Sequence, residues 1–386
     1  MVESRWVRLI GPGVVALGAL GFISATTLGA GARPWTPRAC AGPPADLITA
    51  AREPGPTSPG GFPATPRFRV DPVIESGGAL RGQRLWVGLG DLRAGRSMEL
   101  PAESFAAGPF GRVILVGSED GAASHLTAID VANACAWPVG TEPSVIRRAT
   151  VDPAGTGVYE MRVDRISRAD LGIWWRPMDG GRPVRRILAP VAADGRFGRT
   201  YSTEFTWDVE SDRLAVQSCG EAACRTRVIS PRDGSVATLD APDLGLLIGL
   251  SGDRVVTYGA CRGLPCPVVS TDLRTLDRQT LSLASGPAVV VRTPDGPRLV
   301  HEDGTIAGRR LRSIALDGST SSDLGPVPEG LGLSPSPIQP RATTPLPMGW
   351  VLLAPDGTPP SGDPTQGAQL RHLPDGQTVP LDEAPR

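Results

Sequence analysis

The chain has 386 residues, a net charge of -1, 40% hydrophobic residues and 20% charged residues, so a wholly disordered protein is excluded. The balanced charge argues against a nucleic-acid partner, which would require a basic excess to meet phosphates. All 39 basic residues are arginine. The absence of lysine excludes a Walker A loop, a lysine Schiff base and a Ser-x-x-Lys nucleophile.

The N-terminal residues have the pattern of a targeting segment. Arg5 and Arg8 precede an uncharged run over residues 9–32, which ends in the small-x-small motif Ala30-Gly31-Ala32. The motif favours a cleaved signal peptide, whereas the length of the run is enough for a helical anchor across a ~30 Å hydrocarbon core. Both interpretations predict an extracytoplasmic protein, secreted or anchored, whose contact with the membrane is through this segment alone.

Proline, glycine and serine dominate the next part of the chain. Residues 33–80 contain the stretch PGPTSPGGFPATP and little that could be buried. Such a composition is typical of an extended spacer. We therefore predict three regions: a signal peptide or single transmembrane anchor over 1–32, a Pro/Gly-rich linker over 33–80, and a folded domain over 81–386.

Short apolar runs separated by turn dipeptides predict that the folded domain is all-β. Asp-Gly favours tight hairpin turns because it supplies residues with positive φ. The dipeptide begins at Asp120, Asp179, Asp194, Asp233, Asp295, Asp303, Asp317, Asp356 and Asp375.

The runs also fall into groups of three, which indicates a repeat. The leading runs begin at Gly111, Gly157, Asp212, Asp253, Pro297 and Met348. Their spacing of roughly 40–55 residues is the period of a four-stranded propeller blade. Two groups repeat closely, because each has Asp-Arg followed by a pair of cysteines with four residues between them.

One group resembles a known repeat. The stretch Val151–Arg162 followed by Leu171–Ile187 is similar to the WD-type repeat of TolB-like proteins of the bacterial cell envelope. The match covers about 40 residues, and the other groups match loosely. The resemblance implies a β-propeller of six or seven four-stranded blades. It implies no activity, since propellers serve many functions.

An acidic stretch is the candidate ligand site. Glu204, Asp208, Glu210 and Asp212 alternate with apolar residues, and four carboxylates cannot all be buried between blades without partners. We expect the strand to end near Trp207 and residues 208–212 to form an exposed loop. The three interpretations are a solvated turn, a Ca²⁺ site formed by Asp208, Glu210 and Asp212, and a carboxylate pair for hydrolysis.

The six cysteines predict three disulfides in an exported protein. A four-residue loop that closes a hairpin places its flanking residues opposite each other, within disulfide range. This predicts Cys219–Cys224 and Cys261–Cys266. The remaining pair, Cys40–Cys135, would fasten the linker to the first blade.

Paired arginines and tryptophans leave two interpretations each. Arg147-Arg148, Arg185-Arg186 and Arg309-Arg310 either bind an anionic partner or alternate between solvent and an acidic neighbour. Trp174-Trp175 is either core packing with one edge residue or a platform for carbohydrate stacking.

The function that these patterns favour is binding rather than catalysis. A Gly-x-Ser-x-Gly elbow, a His-Glu-x-x-His motif and a sialidase-type Asp box are absent from the sequence. We predict a monomeric binding or scaffold propeller without a catalytic residue or cofactor. Its partner would be a protein or another component of the envelope, bound on the loop face. The alternative is a glycan-active hydrolase or lyase that uses carboxylates of the central channel.

Overall fold

The structure, a computed structural model, describes most of the chain from residue 33 to residue 380. The described ranges are 33–43, 66–74, 80–89, 96–101, 104–110, 113–152, 155–179, 183–190, 202–208, 211–219, 224–230, 234–240, 244–261, 263–304, 308–334, 349–356, 368–373 and 376–380. These ranges contain strands and turns, and none of them contains a helix long and apolar enough to span a membrane. The predicted N-terminal helix lies outside them.

The strands are β1 (Arg33–Pro34), β2 (Arg38–Ala39), β3 (Pro66–Ile74), β4 (Leu80–Leu89), β5 (Arg96–Leu100), β6 (Ser104–Phe110), β7 (Val113–Glu119), β8 (Ser124–Asp130), β9 (Cys135–Glu142), β10 (Val145–Val151), β11 (Gly157–Val163), β12 (Asp170–Pro177), β13 (Arg185–Leu188), β14 (Ser202–Asp208), β15 (Arg213–Cys219), β16 (Cys224–Ile229), β17 (Val236–Leu239), β18 (Leu247–Ser251), β19 (Arg254–Tyr258), β20 (Cys266–Asp272), β21 (Arg278–Ala284), β22 (Ala288–Thr293), β23 (Gly296–Asp303), β24 (Arg310–Ala315), β25 (Ser321–Pro326), β26 (Leu331–Leu333), β27 (Trp350–Pro355), β28 (Gln369–His372) and β29 (Thr378–Pro380).

These strands form seven sheets within the described residues. Five of the sheets are antiparallel meanders of four strands in chain order, β10–β13, β14–β17, β18–β21, β22–β25 and β26–β29. The first two sheets, β3–β5 and β6–β9, each gain one short parallel strand at the outer edge, β1 on β5 and β2 on β9. The predicted all-β class and the repeating four-stranded unit are confirmed.

The sheets pack face to face in chain order. The first strand of each sheet contacts the first strand of the next from β3 through β6, β10, β14 and β18 to β22, so these strands lie innermost. Among the described residues, an apolar cluster occupies each space between successive sheets. Strands packed between two other sheets are buried on both faces, and all of β11 is buried.

The leading runs of the repeat are second strands, not first strands. Gly157 begins β11, and Asp212 and Asp253 directly precede β15 and β19, so the innermost strand lies upstream of each predicted group. The six predicted groups correspond to the second through seventh sheets. The first sheet comes from residues that the sequence divided between linker and domain.

The predicted linker is therefore not a spacer throughout. Residues 66–74 form β3, and residues 33–40 lie along the outer edges of the first two sheets. We call residues 33–40 the N-terminal strap. The Pro/Gly-rich centre of the linker, residues 44–65, lies outside the described residues.

The Asp-Gly turns behave as predicted wherever the structure describes them. Gly121, Gly234, Gly296, Gly304, Gly318 and Gly376 have φ between 69° and 110°. Gly296 begins β23, and each of the others lies between two consecutive strands of one sheet. The other three Asp-Gly pairs have glycines outside the described residues.

Candidate functional site

The sheets have two ends that carry different groups. We call the end with the turns between first and second strands, such as residues 152–157 and 208–213, the hairpin end. The opposite end carries the loops between second and third strands, including those closed by Cys219–Cys224 and Cys261–Cys266, and we call it the disulfide end. The predicted acidic stretch lies at the hairpin end.

Asp208 is the last residue of β14 and is buried, with 2% of its surface exposed. Its carboxylate pairs with Arg292 of β22 and accepts hydrogen bonds from Ser211 Oγ at 2.5 Å and from Gly252 N at 2.6 Å. These partners belong to three different sheets. Asp208 therefore links the fourth, fifth and sixth sheets near their innermost strands.

The prediction that Asp208 lies in an exposed loop is wrong. A solvated turn was expected because no partner for the four alternating carboxylates could be recognised in the sequence. In the structure, Arg292 and the donors on Ser211 and Gly252 satisfy the carboxylate of Asp208. The side chains of Glu204 and Glu210 lie outside those that the structure describes. The described residues contain no group of three potential metal ligands. The Ca²⁺ site of Asp208, Glu210 and Asp212 stays a prediction.

Replacing Asp208 by alanine should lower the free energy of unfolding by about 2–3 kcal/mol, because the partly buried peptide N–H of Gly252 loses its acceptor and Arg292 loses its counter-ion. Urea unfolding measures this loss. Asp208→Asn, which keeps one acceptor oxygen, should lose less. A Ca²⁺-dependent rise in melting temperature that Asp208→Ala abolishes would instead support the metal site.

Neighbouring charges at the hairpin end are also paired. Asp253 contacts both Arg213 and Arg274, and the hydrogen bond from Arg213 is the main reason that the pKa of Asp253 lies below its ordinary value. Arg213 also donates to Gly252 O at 2.9 Å. The ion pair between Arg213 and Asp253 thus joins the turns of the fourth and fifth sheets.

A group of four buried charges lies between the second and third sheets, and we call it the charge cluster. Its members are Glu142, Glu160, Arg162 and Arg176. Arg162 contacts Glu142 at 2.7 Å and Glu160 at 2.6 Å. Arg176 contacts Glu160 at 2.6 Å and also pairs with Glu142. Each arginine bridges both carboxylates, so the cluster is neutral and its charges are mutually satisfied.

Two features of the local fold make room for the cluster. Glu160 and Arg162 alternate along β11 with Tyr159 and Met161, so the charges face the second sheet while the apolar residues face the fourth. At Gly140 on the second sheet, any β-carbon would overlap the guanidinium of Arg176. A side chain at this position would therefore have to displace the guanidinium of Arg176.

Three polar residues on the second strands of the fourth, fifth and sixth sheets each connect their sheet to the following one. They are Gln217 in β15, Tyr258 in β19 and Glu302 in β23. Gln217 Nε2 donates to Gly245 O at 3.0 Å, and Tyr258 Oη donates to Gly286 O at 3.4 Å. Both pairs span 28 residues, so the positions correspond in the repeat. In the sixth sheet, Glu302 accepts from Leu333 N of the seventh sheet and from Arg309 Nη1 at 3.2 Å.

These connections were not predicted, although a signal existed. Aligning the Asp212-Arg213 group with the Asp253-Arg254 group places Gln217 opposite Tyr258. In the sequence, Glu302 directly precedes the predicted Asp303-Gly304 turn. The structure places Glu302 in β23 with 2% of its surface exposed.

The arginine and tryptophan pairs have partners within the fold. Arg162 lies 4.6 Å and Arg186 5.9 Å from the ring centre of Trp174, and Arg185 lies 4.9 Å from that of Trp175. Guanidinium groups thus occupy the ring surfaces that a sugar would need. These contacts favour packing within the third sheet, and carbohydrate stacking stays a prediction.

The third arginine pair alternates between two acidic partners. Arg309 contacts Asp356 at 2.5 Å, and Arg310 contacts Asp323 at 2.7 Å. This arrangement agrees with the interpretation in which the paired arginines contact acidic neighbours within the fold rather than an anionic partner.

All six cysteines form disulfides, in the predicted pairs. The Cα–Cα distances are 5.5 Å for Cys40–Cys135, 4.0 Å for Cys219–Cys224 and 5.2 Å for Cys261–Cys266. The short-loop pairs occupy corresponding loops of the adjacent fourth and fifth sheets. Cys135 begins β9, so the long-range disulfide fastens the strap to the second sheet, which is the first of the predicted groups.

Buried His301 connects the fifth and sixth sheets. Its Nε2 lies 2.9 Å from Ser282 Oγ, and its Nδ1 lies 3.1 Å from Glu302 O. Burial lowers the pKa of His301 below its ordinary value of 6.5. The folded state therefore favours the neutral imidazole.

We expect this histidine to make the protein sensitive to mild acid. As the pH falls below about 6.5, His301 becomes protonated in the unfolded state but stays neutral in the folded state. The free energy of unfolding therefore decreases until the pH reaches the pKa of His301 in the folded state. Urea unfolding at a series of pH values measures the decrease. His301→Gln should flatten it, whereas Asp253→Asn should alter only the region below about pH 4, where carboxylates titrate. An unchanged profile for His301→Gln would contradict the assignment.

Comparisons with known proteins address the fold. No family model matches the chain, and no curated protein matches it. Among solved structures, a puromycin-hydrolyzing peptidase from Mycobacterium tuberculosis aligns with a TM-score of 0.52 at 15% identity, over 92% of this chain and 57% of that chain. The chain spans little more than half the length of the peptidases that it matches.

Two further structures relate directly to the predicted resemblance. Oligogalacturonate lyase in complex with manganese aligns with a TM-score of 0.50 at 11% identity, over 81% of this chain and 84% of that chain. TolB from Acinetobacter baumannii aligns with a TM-score of 0.37 at 11% identity, over 81% of each chain. Both are β-propeller proteins, and the lyase alignment supports the fold alone. The chain is thus similar in fold to the lyase, a β-propeller, which is the fold that the repeat over Val151–Arg162 and Leu171–Ile187 implied.

Proposed function

We propose that the chain is an extracytoplasmic, non-catalytic binding propeller with seven blades, whose partner docks at the disulfide end. Seven blades follow from counting each described sheet as one blade. The predicted N-terminal targeting segment and the three disulfides support a location outside the cytoplasm, where disulfides persist.

The observation that carries the binding proposal is the pair of disulfide-closed loops in adjacent sheets. Closing so short a loop removes little entropy from the unfolded chain, so these disulfides contribute less to stability than long-range ones. Their larger effect is to hold the loops in one conformation before binding, which lowers the entropic cost of association. Two neighbouring loops fixed at the same end form a preorganised surface.

Exposed apolar side chains at this end support the same surface. Leu264, within the loop closed by Cys261–Cys266, is 67% exposed, and Ile166, in the corresponding loop of the third sheet, is 94% exposed. Asp164 Oδ1 accepts hydrogen bonds from the peptide N–H groups of Ile166 and Ser167, which fixes that turn. Large apolar side chains presented on fixed loops are suited to a protein partner.

Glycan cleavage by carboxylates of the channel receives no support from the described carboxylates. Asp208 and Glu302 are buried and paired with Arg292 and Arg309, and Glu160 lies within the charge cluster. The non-catalytic interpretation accounts for these contacts directly.

The experiment compares crosslinking in intact cells by the native chain and by two double variants. Ile166→Asp/Leu264→Asp changes the disulfide end, and Leu276→Asp/Val236→Asp changes exposed residues near the hairpin end as the matched control. A partner captured by the native chain should be lost with the first variant and kept with the second. Loss with the control alone, or equal capture by all three, would contradict binding at the disulfide end.

A further inference from the structure

The N-terminal strap is attached to the first two sheets along its whole length. Trp35 N donates to Ser97 O at 2.7 Å, Arg38 N to Ala134 O at 3.1 Å and Cys40 N to Ala136 O at 2.8 Å. Trp35 packs on the apolar cluster between the first and second sheets, and Cys40 packs on the cluster between the second and third. The Cys40–Cys135 disulfide makes the attachment covalent.

This attachment leaves no spacer between the predicted membrane segment and the first sheet. The predicted membrane segment ends at residue 32, and residue 33 is already paired with Arg96 in β5. A chain that leaves a bilayer at residue 32 reaches the outer edge of the first sheet in the next residue, about 3.5 Å further on. The Pro/Gly-rich stretch follows the strap in the sequence, so it does not lie between the predicted membrane segment and the first sheet.

We propose that the outer edges of the first two sheets, with the strap along them, rest directly against the lipid surface of the membrane. The proposal rests on the extracytoplasmic location proposed above and on retention of residues 9–32 as an anchor. It adds a second membrane contact to the segment itself and sets the orientation of the propeller, with its side toward the bilayer and its two ends open to partners.

The charges of these edges suit anionic lipid headgroups. On β5, the acidic Glu99 lies 3.5 Å from Arg84, so its charge is balanced within the fold. Arg38 is exposed, and its peptide group is already held by β9, so its side chain is available to a phosphate.

Lipid crosslinking from two matched positions tests the proposal. Benzoylphenylalanine replaces Ala39, exposed in β2, or Leu283, which is 54% exposed on the outermost strand β21 of a distant sheet. The full chain is reconstituted in vesicles of phosphatidylcholine with phosphatidylglycerol, and crosslinked lipid is measured after irradiation. The yield at position 39 should exceed the yield at position 283 severalfold. Arg38→Glu should reduce the yield at position 39 by up to about fivefold, whereas Arg278→Glu on β21 should leave it unchanged.

Two outcomes would overturn the proposal, and they differ. Equal yields at both positions, in protein that floats with the vesicles, would show that the propeller stands away from the bilayer, while the proposed location would survive. A full chain that fails to float with vesicles would overturn both the anchor and the docking. Binding at the disulfide end would then be tested separately by its own variants.

Discussion

Glu160→Ala should lower the free energy of unfolding by about 3–5 kcal/mol, the largest effect expected of a single substitution in the charge cluster. Glu160 has no exposed side-chain surface, and it is bonded to both Arg162 and Arg176. Its loss leaves two buried guanidinium groups to share Glu142, with a net positive charge in a space that excludes water. Chemical denaturation of the purified protein measures the change.

The matched control for Glu160 is an exposed ion pair. Glu99 lies 3.5 Å from Arg84, with 66% of its side chain exposed. Glu99→Ala should change the free energy of unfolding by less than about 1 kcal/mol, because solvent screens this contact. Similar losses from both variants would mean that the cluster is solvated. Gly140→Ala gives a second check, since it should displace Arg176 without removing any charge.

Loss of the Cys40–Cys135 disulfide should have the second large effect. The two cysteines are 95 residues apart, so in the chain-entropy model the disulfide contributes about 4–5 kcal/mol. The double variant Cys40→Ala/Cys135→Ala should lose most of this contribution in urea unfolding. The strap's hydrogen bonds should persist in the folded state.

The short-loop disulfides provide the comparison for Cys40–Cys135. Cys219 and Cys224 are five residues apart, and the same model gives about 2 kcal/mol for so small a loop. Cys219→Ala/Cys224→Ala should therefore lose clearly less stability than the long-range pair. Equal losses would contradict an effect set by loop length. Peptide mapping without reduction checks the three pairings directly.

Features that depend on neighbours in sequence could be predicted. Asp-Gly turns act through the backbone freedom of one glycine, and Cys219–Cys224 joins residues that a hairpin places opposite each other. The pairing of Cys40 with Cys135 followed by elimination, once the short-loop pairs were assigned. The repeat period followed from the even spacing of apolar runs, although the innermost strands were assigned to the stretches between groups.

Features that depend on distant partners could not be predicted. Along β11, Glu160 and Arg162 alternate with apolar residues, a pattern that is equally typical of a solvent-exposed face. Their burial depends on Glu142 and Arg176, which come from two other strands. The burial of Asp208 likewise depends on Arg292, two sheets away. A single sequence contains no signal that connects such residues.

The strap also has a mechanical consequence. A force applied to the N-terminus acts along β1 and β2, whose parallel pairing loads several hydrogen bonds together in shear instead of opening them one at a time. Beyond them, the force meets the covalent bond at Cys135, so residues 41–134 form a closed loop that cannot be extended while the disulfide is intact. Tension at the N-terminus would thus act first on the pairing of β1 with β5 and then pass through the disulfide into the second sheet, while strands β3 to β5 stay within the closed loop. Reduction of that one bond would expose the first sheet to strand-by-strand unravelling from its outer edge.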